Sequence, residues 1–166
     1  PVYLITESSQ SSMDGFAIIN ALDWDSKIFN KHMAILSEFV LNPKIENKAW
    51  VADQILQRSI LKAKDEGFEF LMSKAYTDDT ITIHALEKAG FLLVDTLLDY
   101  EVDFRKVVFN KIPVPGVAQE VKIRFAREED NEELAKLARA AFANHFGRYH
   151  SDPRISRELA TQVYVE

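Results

Sequence analysis

The chain has 166 residues, is 47% hydrophobic and 28% charged, and carries eighteen aromatic side chains (Phe 11, Tyr 5, Trp 2), a balance that excludes disorder and provides for a sizeable core. A formal charge of −6 argues against a phosphate-tracking surface, so nucleic acid is not an expected partner. The absence of cysteine removes disulfides, thiolate nucleophiles and zinc–cysteine sites, no apolar run approaches the roughly 20 residues that span a bilayer, and PVYLITESSQ has no signal-peptide pattern, so a cytoplasmic location is expected, with no membrane partner.

In chain order, the serine-rich SSQSSMDG reads as a mobile loop, and LDWDSKIFNKHMAILSEF as an irregular segment leading into a strand. Trp24, Phe29 and the Ala49-Trp50-Val51 step read as core aromatics and neighbours, and Asp23, Asp25, Asp78 and Asp79 as caps and turns. From Ala49 to Glu66, Ala52, Leu56, Ile60 and Ala63 recur at helical spacing, with Gly67 placed for a left-handed cap. The aromatic run FEFLMSKAY suits a buried strand. A second helix follows, with Asp78, Asp79 or Thr80 as N-cap, Ile83 and Leu86 inward, and Gly90 as its stop. FLLVDTLLDYEVDF predicts one long strand, or two broken near Asp95.

Two prolines and a glycine in NKIPVPGVAQ predict a linker over 110–119. Beyond it VKIRFA reads as a strand and REEDNEELAKLARAAF as a helix with Leu134, Leu137, Ala138, Ala141 and Phe142 on one face. Glu128, Glu129 and Asp130 crowd the positive end of that helix dipole. Ser151 or Asp152 ahead of Pro153 predicts the start of a last helix that runs into the chain end.

Two stretches carry a resemblance. The helix-strand-helix-strand run from Ile55 to Tyr100, with its Glu87-Lys88-Ala89-Gly90-Phe91 phrase, resembles the back half of a GNAT N-acetyltransferase fold, and VKIRFAREEDNEELAKLARAAF resembles its front half. The opening Leu22-Asp23-Trp24-Asp25-Ser26-Lys27-Ile28-Phe29 and the stretch from Phe142 to Pro153, with Arg148-Tyr149-His150-Ser151-Asp152-Pro153, are similar to the dTDP-fucosamine (TDP-4-amino-4,6-dideoxygalactose) acetyltransferases. The resemblance implies an α/β (α+β) fold, a GNAT-like mixed sheet flanked by helices. It divides the chain into a degenerate N-terminal domain over 1–109, the linker over 110–119, and the first strand and helices of an incomplete catalytic domain over 120–166. The activity implied is transfer of an acetyl group from acetyl-CoA to the amine of a nucleotide-activated sugar.

Family members cradle the CoA pyrophosphate with a Gln/Arg-x-x-Gly-x-Gly/Ala phrase at a helix N-terminus, where backbone N–H groups and the dipole meet the anion. Gly15, Gly67, Gly90, Gly116 and Gly147 form no such phrase. Acetyl-CoA is therefore expected as co-substrate of the whole enzyme and not as a ligand of these residues, which are expected to be inactive alone. Arg148, Tyr149, His150 and Asp152 are read as an acceptor-binding loop, Arg148 pairing a phosphate or carboxylate and Tyr149 stacking on sugar or base. No catalytic, cofactor or metal residue is assigned: His145 and His150 are five apart without a carboxylate at ligand spacing, and His32 and His84 read as surface or satisfied histidines. Unpaired strand edges predict a homo-oligomer or strand-exchanged dimer. A noncatalytic interaction or dimerisation module, and a GNAT enzyme acting on another small amine or a protein N-terminus, are the alternatives.

Overall fold

The computed structural model describes residues 1–9, 12–106 and 123–165. Strands β1 (Val2–Ser9) and β2 (Ser12–Ala21) pair antiparallel with Leu4 opposite Ile18, and β3 (Met33–Leu41) pairs antiparallel with β2. The serine-rich stretch read as a mobile loop thus contributes residues to both strands, since Phe16, Ala17, Ile18 and Ile19 continue directly from it and fix the register. A four-residue strand β4 (Phe70–Ser73) joins β3 in parallel, giving a mixed sheet in the order β1-β2-β3-β4.

Period-two side-chain alternation decides what each face of this sheet meets. Ala17, Ile19, Ala34 and Leu36 point to one face, where Val51, Ala52, Ile55, Leu56 and Ala63 of helix α2 (Lys48–Asp65) cover them. Ala85 and Leu86 of helix α3 (Thr80–Lys88) close the same core. Asp79 is the N-cap of α3: its two oxygens accept from Thr82 N (3.1 Å) and Thr82 Oγ1 (2.6 Å).

Both glycine stops are present, and their geometry is the same. Gly67 has φ +77° and donates to Lys64 O, while Phe68 donates to Ala63 O. Gly90 has φ +89° and donates to Glu87 O, while Phe91 donates to Leu86 O. Each is a Schellman ending, in which glycine takes the left-handed position and the following phenylalanine folds back on the helix. This is the physical content of the Gly-Phe phrases at 67–68 and 90–91.

Several expectations need correction. The segment after β2 is not irregular: Asp23–Phe29 forms helix α1, which ends on Asn30 in the left-handed region at φ 48°, a conformation asparagine tolerates better than most side chains. Phe29 is core, but Trp24 and Trp50 each lie in a first helical turn and leave about half their surface open, at 48% and 51%. The strand predicted over FLLVDTLLDYEVDF does not form in its described part, 91–104, where Leu93 and Tyr100 are 84% and 89% exposed. Strand-favouring composition needs a neighbouring strand to complete the ladder, and these residues do not join the sheet beside β4.

The predicted strand at VKIRFA is likewise absent over its described residues 123–126. The linker 110–119 lies outside the described residues. The acidic start of the next helix is a 3-10 turn (Glu128–Asp130) that runs into α4 (Asn131–Phe142). The apolar stripe of α4 is correctly periodic, but only its C-terminal end is covered among the described residues: Phe142 stacks on Tyr164, while Leu134 and Leu137 are exposed. The final helix α5 (Arg157–Gln162) starts later than predicted, because Ser156 caps it by accepting from Leu159 N, while Asp152 is drawn into a different bond.

A second core joins the sheet's other face to the C-terminal residues. Ile28 and Phe29 of α1, Met33 of β3 and Phe70 of β4 pack with Tyr149, Ile155 and Ala160. Residues 147–163 therefore sit against the elements of the first hundred residues. Among the described residues, no helix is long and apolar enough to cross a membrane.

Candidate functional site

The loop read as acceptor-binding is built on a tight turn: Ser151 N and Ser151 Oγ both donate to Gly147 O, and Ile155 N donates to Asp152 O. This turn aims Tyr149 into the second core, where it is 1% exposed. The Tyr149 hydroxyl donates to Asp25 Oδ1, and its ring lies 4.7 Å from that of Phe29. Burial, and then the bond to the Asp25 carboxylate, raise the basicity of the phenolate well above the ordinary tyrosine range. Tyr149 is held as a neutral donor.

Arg148 occupies the outer side of the same residue pair. Its guanidinium sits 4.5 Å from the Tyr149 ring centroid, its backbone N–H donates to Asp95 Oδ2 at 3.1 Å, and the side chain is exposed. His150 turns away from it, with Nε2 3.2 Å from Thr161 Oγ1. Asp152 is buried and accepts from Arg154 N, Nε and Nη2 at 2.9, 2.8 and 2.5 Å. The Arg154 guanidinium holds the Asp152 carboxyl below the usual carboxylate range, and it lies 4.6 Å from the Phe70 ring centroid.

The four residues are thus close in sequence but differ in placement. Arg148 faces outward, Tyr149 and Asp152 face inward, and His150 faces α5. Three partners were missed by sequence reasoning: Asp25, Asp95 and Arg154. Asp25 was read as a cap or turn residue, yet it is buried and anchors Tyr149 across the chain. A signal for it existed, since the Trp24-Asp25-Ser26 phrase and the Arg148-Tyr149-His150 phrase carried the narrower resemblance together. The two phrases meet at this bond. Of the remaining histidines, His84 is exposed, and His32 stacks on Phe68 at 4.2 Å with Nδ1 3.2 Å from Gly67 O.

The longer described helices differ in what fills their N-termini. That of α3 is occupied by its own Asp79, and that of α4 by Glu128, Glu129 and Asp130, which repel an anion. The loop from β3 into α2, Asn42 to Asn47, contains Pro43 and no glycine, and Asn42 Oδ1 already accepts from Lys44 N. Among the described residues, no group of three or more metal-ligating side chains gathers.

No protein-family model matches the sequence, and no curated relative does either. Solved structures do match. An aminoglycoside acetyltransferase from an uncultured soil metagenomic sample, in complex with trehalose, superposes with a TM-score of 0.50 at 10% identity over 61% of this chain and 65% of that one. The fold is GNAT-like. This chain spans a little under two thirds of that enzyme's length. A transcriptional regulator from Bacillus halodurans (TM-score 0.49, 13% identity, 61% of this chain and 66% of that one) is also similar. So is a ribosomal-protein-alanine N-acetyltransferase from Brucella melitensis biovar Abortus (TM-score 0.46, 12% identity, 62% of this chain and 71% of that one). At these identities the likeness is one of fold.

Proposed function

We propose that this chain is part of an acetyl-CoA-dependent N-acetyltransferase acting on the amine of a nucleotide-activated amino sugar, and that these residues contribute to acceptor binding and not to the cofactor cradle. The observation that carries the reading is Arg148, held outward by its stack on Tyr149 and its backbone bond to Asp95. A guanidinium so oriented suits a diphosphate, which it can pair in bidentate fashion. Tyr149 and Asp25 position it from beneath. The GNAT-like sheet supports the reaction class, and the filled or glycine-free N-termini of the longer described helices favour a cofactor cradle outside the described residues.

Acetyl-CoA supplies the acyl group as co-substrate when bound. Titration calorimetry on this chain with a dTDP-amino sugar is expected to show binding that Arg148→Ala weakens about tenfold, the loss of one charge-assisted contact. Acetyl-CoA is expected to give no heat. Equal affinity in the two proteins would remove Arg148 from the acceptor site, and saturable acetyl-CoA binding would overturn the noncatalytic assignment. A second reading, an interaction module forming a homo-oligomer or strand-exchanged dimer, is favoured by the uncovered Leu134 and Leu137 of α4. Sedimentation showing only a monomer would count against it.

A further inference from the structure

His150 sits where the loop after α4 meets α5. Its ring lies 5.6 Å from that of His145, nearly perpendicular to it, and 5.9 Å from that of Tyr164, which itself stacks on Phe142 at 4.0 Å. The hydrogen-bond pattern fixes its tautomer. Thr161 Oγ1 donates to Arg157 O at 3.0 Å, so its one hydrogen is committed and it can only accept from His150 Nε2. Neutral His150 therefore carries its proton on Nε2 and a lone pair on Nδ1.

That Nδ1 atom is buried and, among the described residues, has no hydrogen-bond partner. It is also the atom that takes the second proton. Protonation would create a buried N–H without an acceptor among the described residues and place a charge beside the Arg157 guanidinium. The groups that face the ring are His145 from the loop after α4, and Arg157, Thr161 and Tyr164 from α5 and the turn that follows it. Of the buried carboxylates in the second core and its turn, Asp152 pairs with Arg154 and Asp25 accepts from Tyr149.

We propose that His150 is an acid-sensitive clasp: neutral, it holds α5 against the 147–152 turn; protonated, it releases α5 and uncovers the apolar residues Ile28, Phe29, Met33 and Phe70. Burial, then His145, then Arg157 hold its basicity below the ordinary histidine value. The sign follows from linkage. The stabilising contribution is complete above the unfolded histidine pKa of about 6.5, and it is lost as pH falls through that value toward the lower folded one. The device depends on none of the acyl-transfer reading.

Hydrogen–deuterium exchange of peptides covering 145–165 and 25–35, corrected for the intrinsic pH dependence of amide exchange, tests it between pH 7.5 and 5.5. Protection in the wild type is expected to fall on acidification, by up to about tenfold for each unit separating the folded and unfolded values. His150→Gln keeps a donor for Thr161 and cannot charge, so its protection should not change with pH. Unchanged protection in the wild type, or an equal fall in His150→Gln, would overturn the clasp. If that variant does not fold, an NMR titration of the wild-type His150 ring decides: a midpoint below about 6.5 supports the proposal, and one at or above it refutes it.

Discussion

Tyr149 donates its buried hydroxyl to the carboxylate of Asp25, 124 positions earlier in the chain. The bond ties α1 to the 147–152 turn at the centre of the second core, next to Phe29 and beneath Arg148. It makes the C-terminal residues part of the same packed body as the sheet.

Tyr149→Phe keeps the ring and removes only this donor, leaving the Asp25 oxygen buried without it. The expected loss is about 1–3 kcal/mol, the cost of an unsatisfied buried partner of a charged hydrogen bond. Urea unfolding of Tyr149→Phe, Asp25→Asn and the double variant measures it. The single losses should exceed additivity when summed, because both remove one interaction. Additive losses would mean that the two residues do not act as a pair.

Gly15 predicts a different kind of failure. It lies in β2 where α2 crosses the sheet, and a Cβ added there would meet Ile55 Cδ1 at 2.7 Å and Val40 O at 2.8 Å. The Ile55 methyl can shift, but the Val40 carbonyl is backbone. Gly15→Ala should therefore cost about 1–3 kcal/mol, the usual range for overpacking a close-fitted site. Thermal unfolding that matched the wild type would show that the sheet yields there.

Some of this was legible in the sequence, and the reason is local. The α2 and α3 stretches carry their own period, their own cap in Asp79 and their own stops in Gly67 and Gly90, so each element is specified within its own residues. Strands at 91–104 and 123–126 were not foreseeable as failures, because alternation records a preference, and pairing depends on a neighbour the segment does not contain. The site was legible to the same extent. Tyr149 and Asp152 could be named from their phrase, but their inward orientation depends on Asp25 and Arg154, and only the latter is nearby in sequence.

Asp130 ties the approach to α4 together. Its carboxylate accepts from Arg124 Nη1 and Nη2 at 2.6 and 2.7 Å and from Arg127 N at 2.8 Å. The Arg124 guanidinium, and then the Arg127 N–H, lower its pKa to about 2. The contribution of this lowered group is present above the ordinary aspartate value of about 3.9 and is lost as pH falls toward 2. An NMR titration of the side-chain carboxyl should find a midpoint well below 3.9. Asp130→Asn should reduce the circular dichroism signal of α4 near neutral pH, and an unchanged spectrum would show that the helix start does not depend on this charge.

Asp152 is the more demanding test, because it is buried and, among the described residues, its charged partner is Arg154 two residues on. The pair is held in a geometry that also lays the guanidinium over Phe70 of β4, so the turn and the sheet edge share one cation. Asp152→Asn retains shape and removes charge; it is expected to cost about 1.5–3 kcal/mol at pH 7, the range for a hydrogen bond to a charged group. Because Arg154 lowers the Asp152 pKa, the wild-type advantage is complete above about 3.9 and disappears as pH falls through the lower folded value. Unfolding curves of both proteins should therefore converge in acid. If Asp152→Asn were as stable as the wild type at pH 7, the charge would not anchor the turn. If a constant gap persisted into strong acid, the loss would come from shape and not from the ion pair.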